Sequence, residues 1–163
     1  MTDTARAGAL IYAKDLASLS TFYQGVLPAA RVEAGPQHHV LAWPDFQLTL
    51  HAIPPHIAET ITLSVPPAPR EETPLKLIFT VPSLAEAAQA AARLGGRLFD
   101  TGWEGPGFRA RGGWDPEGNI FELRESEPAD PIPALVDAYR AAVFARDVDA
   151  LAALYDPEVR VFD

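Results

Sequence analysis

Apolar residues recur along this chain with two periods, and the periods alternate. GALIYA (8–13) is a short apolar run with β-branched and aromatic members and predicts a strand. Asp15 follows as a candidate N-cap, and Leu16, Leu19, Phe22, Tyr23 and Val26 then recur at helical spacing until Pro28 stops the helix. HHVLAW (38–43) and FQLTLHAI (46–53) read as strands joined by a Pro44-Asp45 turn, and ETITLSV (59–65) is a further candidate strand. PPAPREETP (66–74) holds four prolines and three charges, which predicts a linker.

The pattern then repeats. LKLIFTV (75–81) predicts a strand, and SLAE (83–86) a capping box in which Ser83 takes the N–H of residue 86 while Glu86 reaches back. An alanine-rich helix follows to Leu94 and stops at Gly95-Gly96. GRLFD, GFRARGGW and NIFELRE predict three more strands, the last two joined by the polar turn Asp115-Pro116-Glu117-Gly118-Asn119. One unit, strand–helix–three strands, therefore occurs twice, with the caps Asp15 and Ser83 lying 68 residues apart. After PADPIP (128–133), Leu135, Tyr139, Ala142 and Val143 share a helical face, Asp147 caps a second short helix, and PEVRVFD (157–163) turns into a strand.

Side chains alternate across a strand, so each run can be split into two faces. Phe46, Leu48 and Leu50 oppose Gln47, Thr49 and His51; Leu77, Phe79 and Val81 oppose Lys76, Ile78 and Thr80; Phe121 and Leu123 oppose Ile120, Glu122 and Arg124. Gly8, Leu10 and Tyr12 oppose Ala9, Ile11 and Ala13. The apolar faces suit packing against the amphipathic helices. The mixed faces, combined, form a partly polar surface of the kind a small-molecule cavity needs; the plainer reading is a sheet face turned to solvent.

Composition narrows the function. The net charge of -9 disfavours nucleic-acid binding, and it is uneven: residues 127–163 carry 8 acidic and 3 basic side chains. The absence of cysteine excludes disulfides, thiolate metal sites and a cysteine nucleophile, and fits a cytoplasmic protein. The N-terminal stretch has no secretory h-region, and no apolar run approaches the roughly 20 residues of a membrane span. No P-loop, dinucleotide fingerprint, HExxH or GxSxG motif occurs.

KDLASLSTFYQGVL (14–27), TVPSLAEAAQAAARLGGRLF (80–99) and DPEGNIFELRE (115–125), set in the paired repeat, resemble the vicinal oxygen chelate superfamily, which includes glyoxalases, bleomycin-resistance proteins and extradiol dioxygenases. The resemblance covers about residues 7–126 and implies an α+β fold: two βαβββ modules, 7–65 and 75–126, joined by linker 66–74, forming a curved sheet around a cavity. In metal-using members, four strand positions supply ligands, and by motif they fall here at Gly8, Gln47, Lys76 and Glu122. Only Glu122 is an ordinary ligand; glycine has no side chain, and Lys76 repels a cation. Glu122 is instead expected to pair with Lys76, or with Arg109 or Arg111 across the hairpin. The segment 131–163 resembles the opening of a SnoaL-like, ketosteroid-isomerase-like domain, two helices and a first strand, whose remaining sheet would have to follow residue 163.

The resulting expectation is a glyoxalase/bleomycin-resistance-like protein that binds a small organic molecule without the superfamily metal or another cofactor. Tyr12, Gln47, His51, Lys76, Trp103, Phe108 and Glu122 would line the cavity. The alternative is a metal-dependent lyase, isomerase or dioxygenase holding a divalent metal ion on Glu122, with His51 or Gln47 recruited. A third reading is an accessory module of a SnoaL-like fusion enzyme. His51 is a candidate hydrogen-bonding residue or base. Adjacent His38 and His39 point to opposite strand faces, and Pro54-Pro55 separates His51 from His56 and Glu59. Trp103 and Phe108 suit stacking, while Arg109 and Arg111 share a face and suit an oxyanion. The superfamily resemblance also implies a homodimer.

Overall fold

The alternating periods become alternating elements. The computed structural model describes residues 7–127 and 131–154, which form two separate units, the first ending at Glu127. In the first unit, strand β1 (Ala7–Ala13) leads to helix α1 (Leu16–Val26) and strands β2 (Ala30–Ala34), β3 (His38–Ala42) and β4 (Phe46–Ala52). After the short helix α2 (Pro55–Ala58) come β5 (Leu77–Thr80), helix α3 (Leu84–Arg93), β6 (Arg97–Leu98), β7 (Trp103–Gly105), β8 (Phe108–Trp114) and β9 (Ile120–Ser126). The second unit holds α4 (Pro131–Ala145) and α5 (Val148–Ala152), the latter capped by Asp147, whose Oδ1 accepts the Ala150 N–H at 2.9 Å. The expected final strand, 157–163, lies outside the described residues.

Each βαβββ module makes its own sheet. The first has the order β1-β4-β3-β2 and the second β5-β9-β8-β6, with β7 added against β8. In both, the strand before the helix pairs in parallel with the last strand, and the remaining pairs are antiparallel. The parallel pair follows from the helical crossover between its strands, which reverses the chain.

One core joins the modules. Leu19, Phe22, Leu48, Leu50 and Leu123 are fully buried, and Phe121 nearly so. Tyr23 of α1 lies 6.2 Å from Phe79 and 6.3 Å from Phe121, and Trp43 stacks on Phe79 at 5.7 Å, measured between ring centroids. Burying one such side chain stabilises by about 1.5–3 kcal/mol, so this shared cluster ties the halves together.

The helix starts are tied across the chain as well. Asp15 caps α1 as expected, its Oδ1 accepting the Ser18 N–H at 2.9 Å. The N–H groups of Lys14 and Asp15 donate to Glu117 of the β8–β9 turn, at 3.0 and 2.7 Å. Ser83 caps α3, but the expected return bond from Glu86 is not made among the described residues; the Leu84 N–H donates instead to Glu125 at 2.8 Å. At the other end of α3, Gly95 takes a left-handed φ of 87°, and the Gly96 N–H reaches the Ala91 carbonyl at 2.9 Å, a Schellman closure.

The strands differ from expectation at three places. ETITLSV is not a strand: Pro54-Pro55 start the turn of α2, Glu59 caps its end, and residues 61–64 run on without sheet partners. The third strand beside α1 is β2, which carries a register shift between Arg31 and Glu33 and so lacks clean alternation. The short β7, Trp103–Gly105, is likewise a strand that the sequence pattern does not predict.

Candidate functional site

Register decides which polar side chains share a face. In the second sheet Glu122 pairs with Gly112 on one side and Ile78 on the other, while Arg124 pairs with Ala110 and Thr80. These residues stand on the face turned away from the helices, with Phe121 and Leu123 on the helix side. Phe99 joins them: a Cβ added at Gly112 would lie 3.0 Å from its ring. Phe99 packs against Trp114 at 5.1 Å, and Trp103 against Phe108 at 5.1 Å, edge to face. The outward face of this sheet is therefore an aromatic surface with one charged pair set in it.

That pair is Glu122 and Arg124. Arg124 Nε donates to Glu122 Oε1 at 2.8 Å, and the guanidinium carbon sits 4.4 Å from the Phe108 ring centroid and 5.7 Å from that of Trp103. The Glu122 side chain is 11% exposed and that of Arg124 31%. A carboxylate this buried requires a partner, and the partner differs from all three expected. Arg109 binds Glu125 at 2.8 Å, Arg111 donates from Nε to the Phe99 carbonyl at 3.0 Å, and both stand on the helix face. Lys76 precedes β5 by one residue and lines a recess of about 290 Å³ with Glu71, Leu75, Phe99 and Ile120. Arg124 shares its strand and face with Glu122 at spacing i, i+2, so strand alternation alone was enough to point to it.

On the first sheet, Tyr12, His51 and His38 form one cross-strand row. Tyr12 meets the His51 ring edge-on at 5.9 Å, and the His38 ring lies parallel to that of His51 at 6.4 Å. His51 Nδ1 lies 2.9 Å from the Ala52 carbonyl, which makes the Nδ1–H the donor of this bond. His38 Nε2 binds Glu33 at 2.7 Å, while His39 points to the opposite face. Gln47 pairs with Gly8, where an added Cβ would lie 3.0 Å from its Cγ.

The seven expected cavity residues are thus distributed. Tyr12, Gln47 and His51 stand on the first sheet, Trp103, Phe108 and Glu122 on the second, and Lys76 at the recess. A larger cavity, about 970 Å³, is lined instead by Gly8–Ile11 of β1, Phe46, Leu77, Ile120 and linker residues 69–73. The linker is pinned there: the Arg70 N–H donates to the Gly118 carbonyl at 2.8 Å, and Trp114 Nε1 to the Pro67 carbonyl at 3.1 Å.

The Asp115–Asn119 turn is held by its own side chains. Asp115, fully buried, accepts the N–H groups of Glu117 and Asn119 through Oδ1, both at 2.9 Å. Burial pushes its pKa up, against the bonds from Asn119 and Tyr23, and burial with the Asp115 charge pushes the Tyr23 phenol well above its usual value.

The four mapped ligand positions do not fit a divalent ion. Gly8 has no donor atom, Gln47 offers an amide, Lys76 is cationic, and Glu122 is already bonded to Arg124. Register sets Ile78, not Lys76, beside Glu122. Among the described residues no three His, Asp or Glu side chains group as a metal site.

The chain belongs to the glyoxalase-like domain family, whose model matches residues 9–124. The fold matches a glyoxalase/bleomycin resistance protein/dioxygenase family enzyme from Burkholderia phytofirmans PsJN (19% identity, TM-score 0.56, 76% of this chain and 99% of that one). It also matches a glyoxalase/bleomycin resistance protein from Albidiferax ferrireducens T118 (18%, 0.52, 73% and 96%). A third match is the fosfomycin resistance protein FosX from Listeria monocytogenes, complexed with Mn(II) and sulfate (15%, 0.51, 77% and 91%). These likenesses establish the fold. No curated protein matches the chain. No helix among the described residues is long and apolar enough to cross a membrane.

Proposed function

We propose that this domain binds a small organic molecule, without a metal at the four mapped positions, on the aromatic outward face of its second sheet. The observation that carries the reading is the Glu122–Arg124 pair: the one ordinary ligand among those positions is engaged by a cation at 2.8 Å. Around it, Phe99, Trp103, Phe108 and Trp114 offer flat apolar area. Aromatic walls with a few fixed polar groups suit a small-molecule site.

A thermal-shift screen of small aromatic compounds against wild type and Phe108→Ala, with no metal added, tests the reading. Hits that stabilise wild type and lose their effect in Phe108→Ala support it. A screen without saturable hits, or hits indifferent to Phe108, would count against it.

A further inference from the structure

The geometry points to a carboxylate-binding site at the guanidinium end of Arg124, so that the ligand is an aromatic or otherwise flat carboxylate. This rests on the reading that the outward face of the second sheet is the binding surface, and it names the ligand's chemistry.

Three restraints fix Arg124. Its Nε is bonded to Glu122, its guanidinium lies over Phe108, and Trp103 stands at the edge of the same arrangement. Glu122 takes one N–H, which leaves the two Nη groups as a parallel fork. Among the described residues no other carboxylate makes an ion pair with Arg124. A fork already immobilised loses little side-chain entropy on binding, and its spacing matches the two oxygens of a carboxylate. The other strand arginines differ: Arg109 is committed to Glu125, and Arg111 to a backbone carbonyl.

The surroundings suit the rest of such a ligand. Thr80, the register partner of Arg124 on β5, sets an exposed hydroxyl side chain in the next strand. Trp103 is half exposed and gives a flat body a ring to stack on. The fixed Glu122 charge offsets that of Arg124, so a monocarboxylate fits better than a doubly charged phosphate.

Benzoate, phenylacetate and 3-phenylpropionate, each paired with its neutral amide, test this directly. Binding is read from tryptophan fluorescence and from the indole N–H resonances at pH 7. The expected result is saturable binding of at least one acid, its amide at least tenfold weaker. Arg124→Gln, shown folded by circular dichroism, should lose at least tenfold affinity for the acid, Arg124→Lys part of that, and Arg109→Gln almost none. Acids and amides binding alike, or Arg124→Gln binding the acid normally, would overturn the inference while the binding surface stands. Failure of acids, amides and neutral fragments together would overturn both.

Discussion

The Tyr23 hydroxyl donates to Asp115 Oδ2 at 2.9 Å, joining residues 92 positions apart in different modules. Both side chains are buried, and Asp115 Oδ2 also accepts from Asn119 Nδ2 at 2.7 Å. The β8–β9 turn is thereby locked to α1, and with it the start of the strand that carries Glu122 and Arg124. Tyr23→Phe removes one donor and leaves Asp115 its other bonds, so it should cost about 1–2 kcal/mol. Asp115→Ala strands two backbone N–H groups and the phenol, and should cost about 3–5 kcal/mol. Urea unfolding of the two variants beside wild type measures both; equal costs would refute the hub role of Asp115.

Glu125 gives a pH dependence of definite sign. The Leu84 N–H bond holds its pKa below the ordinary glutamate value of 4.5, partial desolvation opposing and Arg109 assisting. Its folded pKa is thus below the unfolded one, so its contribution is complete above about pH 4.5 and is lost as pH falls through the folded value. Asp115 acts in the opposite sense: its folded pKa is raised by burial, so its titration makes stability fall as pH rises through that window. Glu125→Gln keeps an acceptor for Leu84 but does not titrate. Its stability deficit relative to wild type should stay level from pH 6 to about pH 5 and shrink from there to pH 3. A deficit constant over that range would contradict the assignment.

Gly118 and Gly107 separate backbone strain from linker packing. Both have left-handed φ, 82° and 74°. A Cβ at Gly107 meets nothing within 4 Å, whereas one at Gly118 would lie 2.3 Å from the Ala68 carbonyl oxygen. Gly107→Ala should therefore cost about 1–2 kcal/mol from strain alone. Gly118→Ala should cost more and should also loosen the linker, read as faster proteolysis within residues 66–74. Equal costs and unchanged proteolysis would show that the linker is not held by this turn.

Much of the fold is legible in the residues. Leu19, Phe22, Tyr23 and Val26 recur at helical spacing and are buried, and the alternation in FQLTLH sorts Leu48 and Leu50 inward from Gln47 and His51. Caps and stops are local chemistry, so Asp15, Ser83 and Gly95 could be read directly. β2 escaped because its register shift breaks the period. ETITLSV misleads because its alternation is genuine, yet residues 61–64 pair with no strand. At the candidate site the face of Glu122 is readable, but motif mapping points to Lys76 and the hairpin to Arg109 or Arg111, while Arg124 stands two residues along on the same face. Phe99 carries no local signal: its place depends on its N–H, just past β6, donating to the Gly112 carbonyl at 2.9 Å, a tertiary fact that no local period carries.

Metal content decides whether Glu122 serves Arg124 or a metal. Untagged wild type and Glu122→Ala are dialysed against Zn²⁺, Mn²⁺, Fe²⁺ and Ni²⁺, then against metal-free buffer, and bound metal is measured by mass spectrometry. The expected result is no stoichiometric metal in either protein. About one equivalent in wild type that is lost in Glu122→Ala would contradict it, and would favour a metal-dependent lyase, isomerase or dioxygenase.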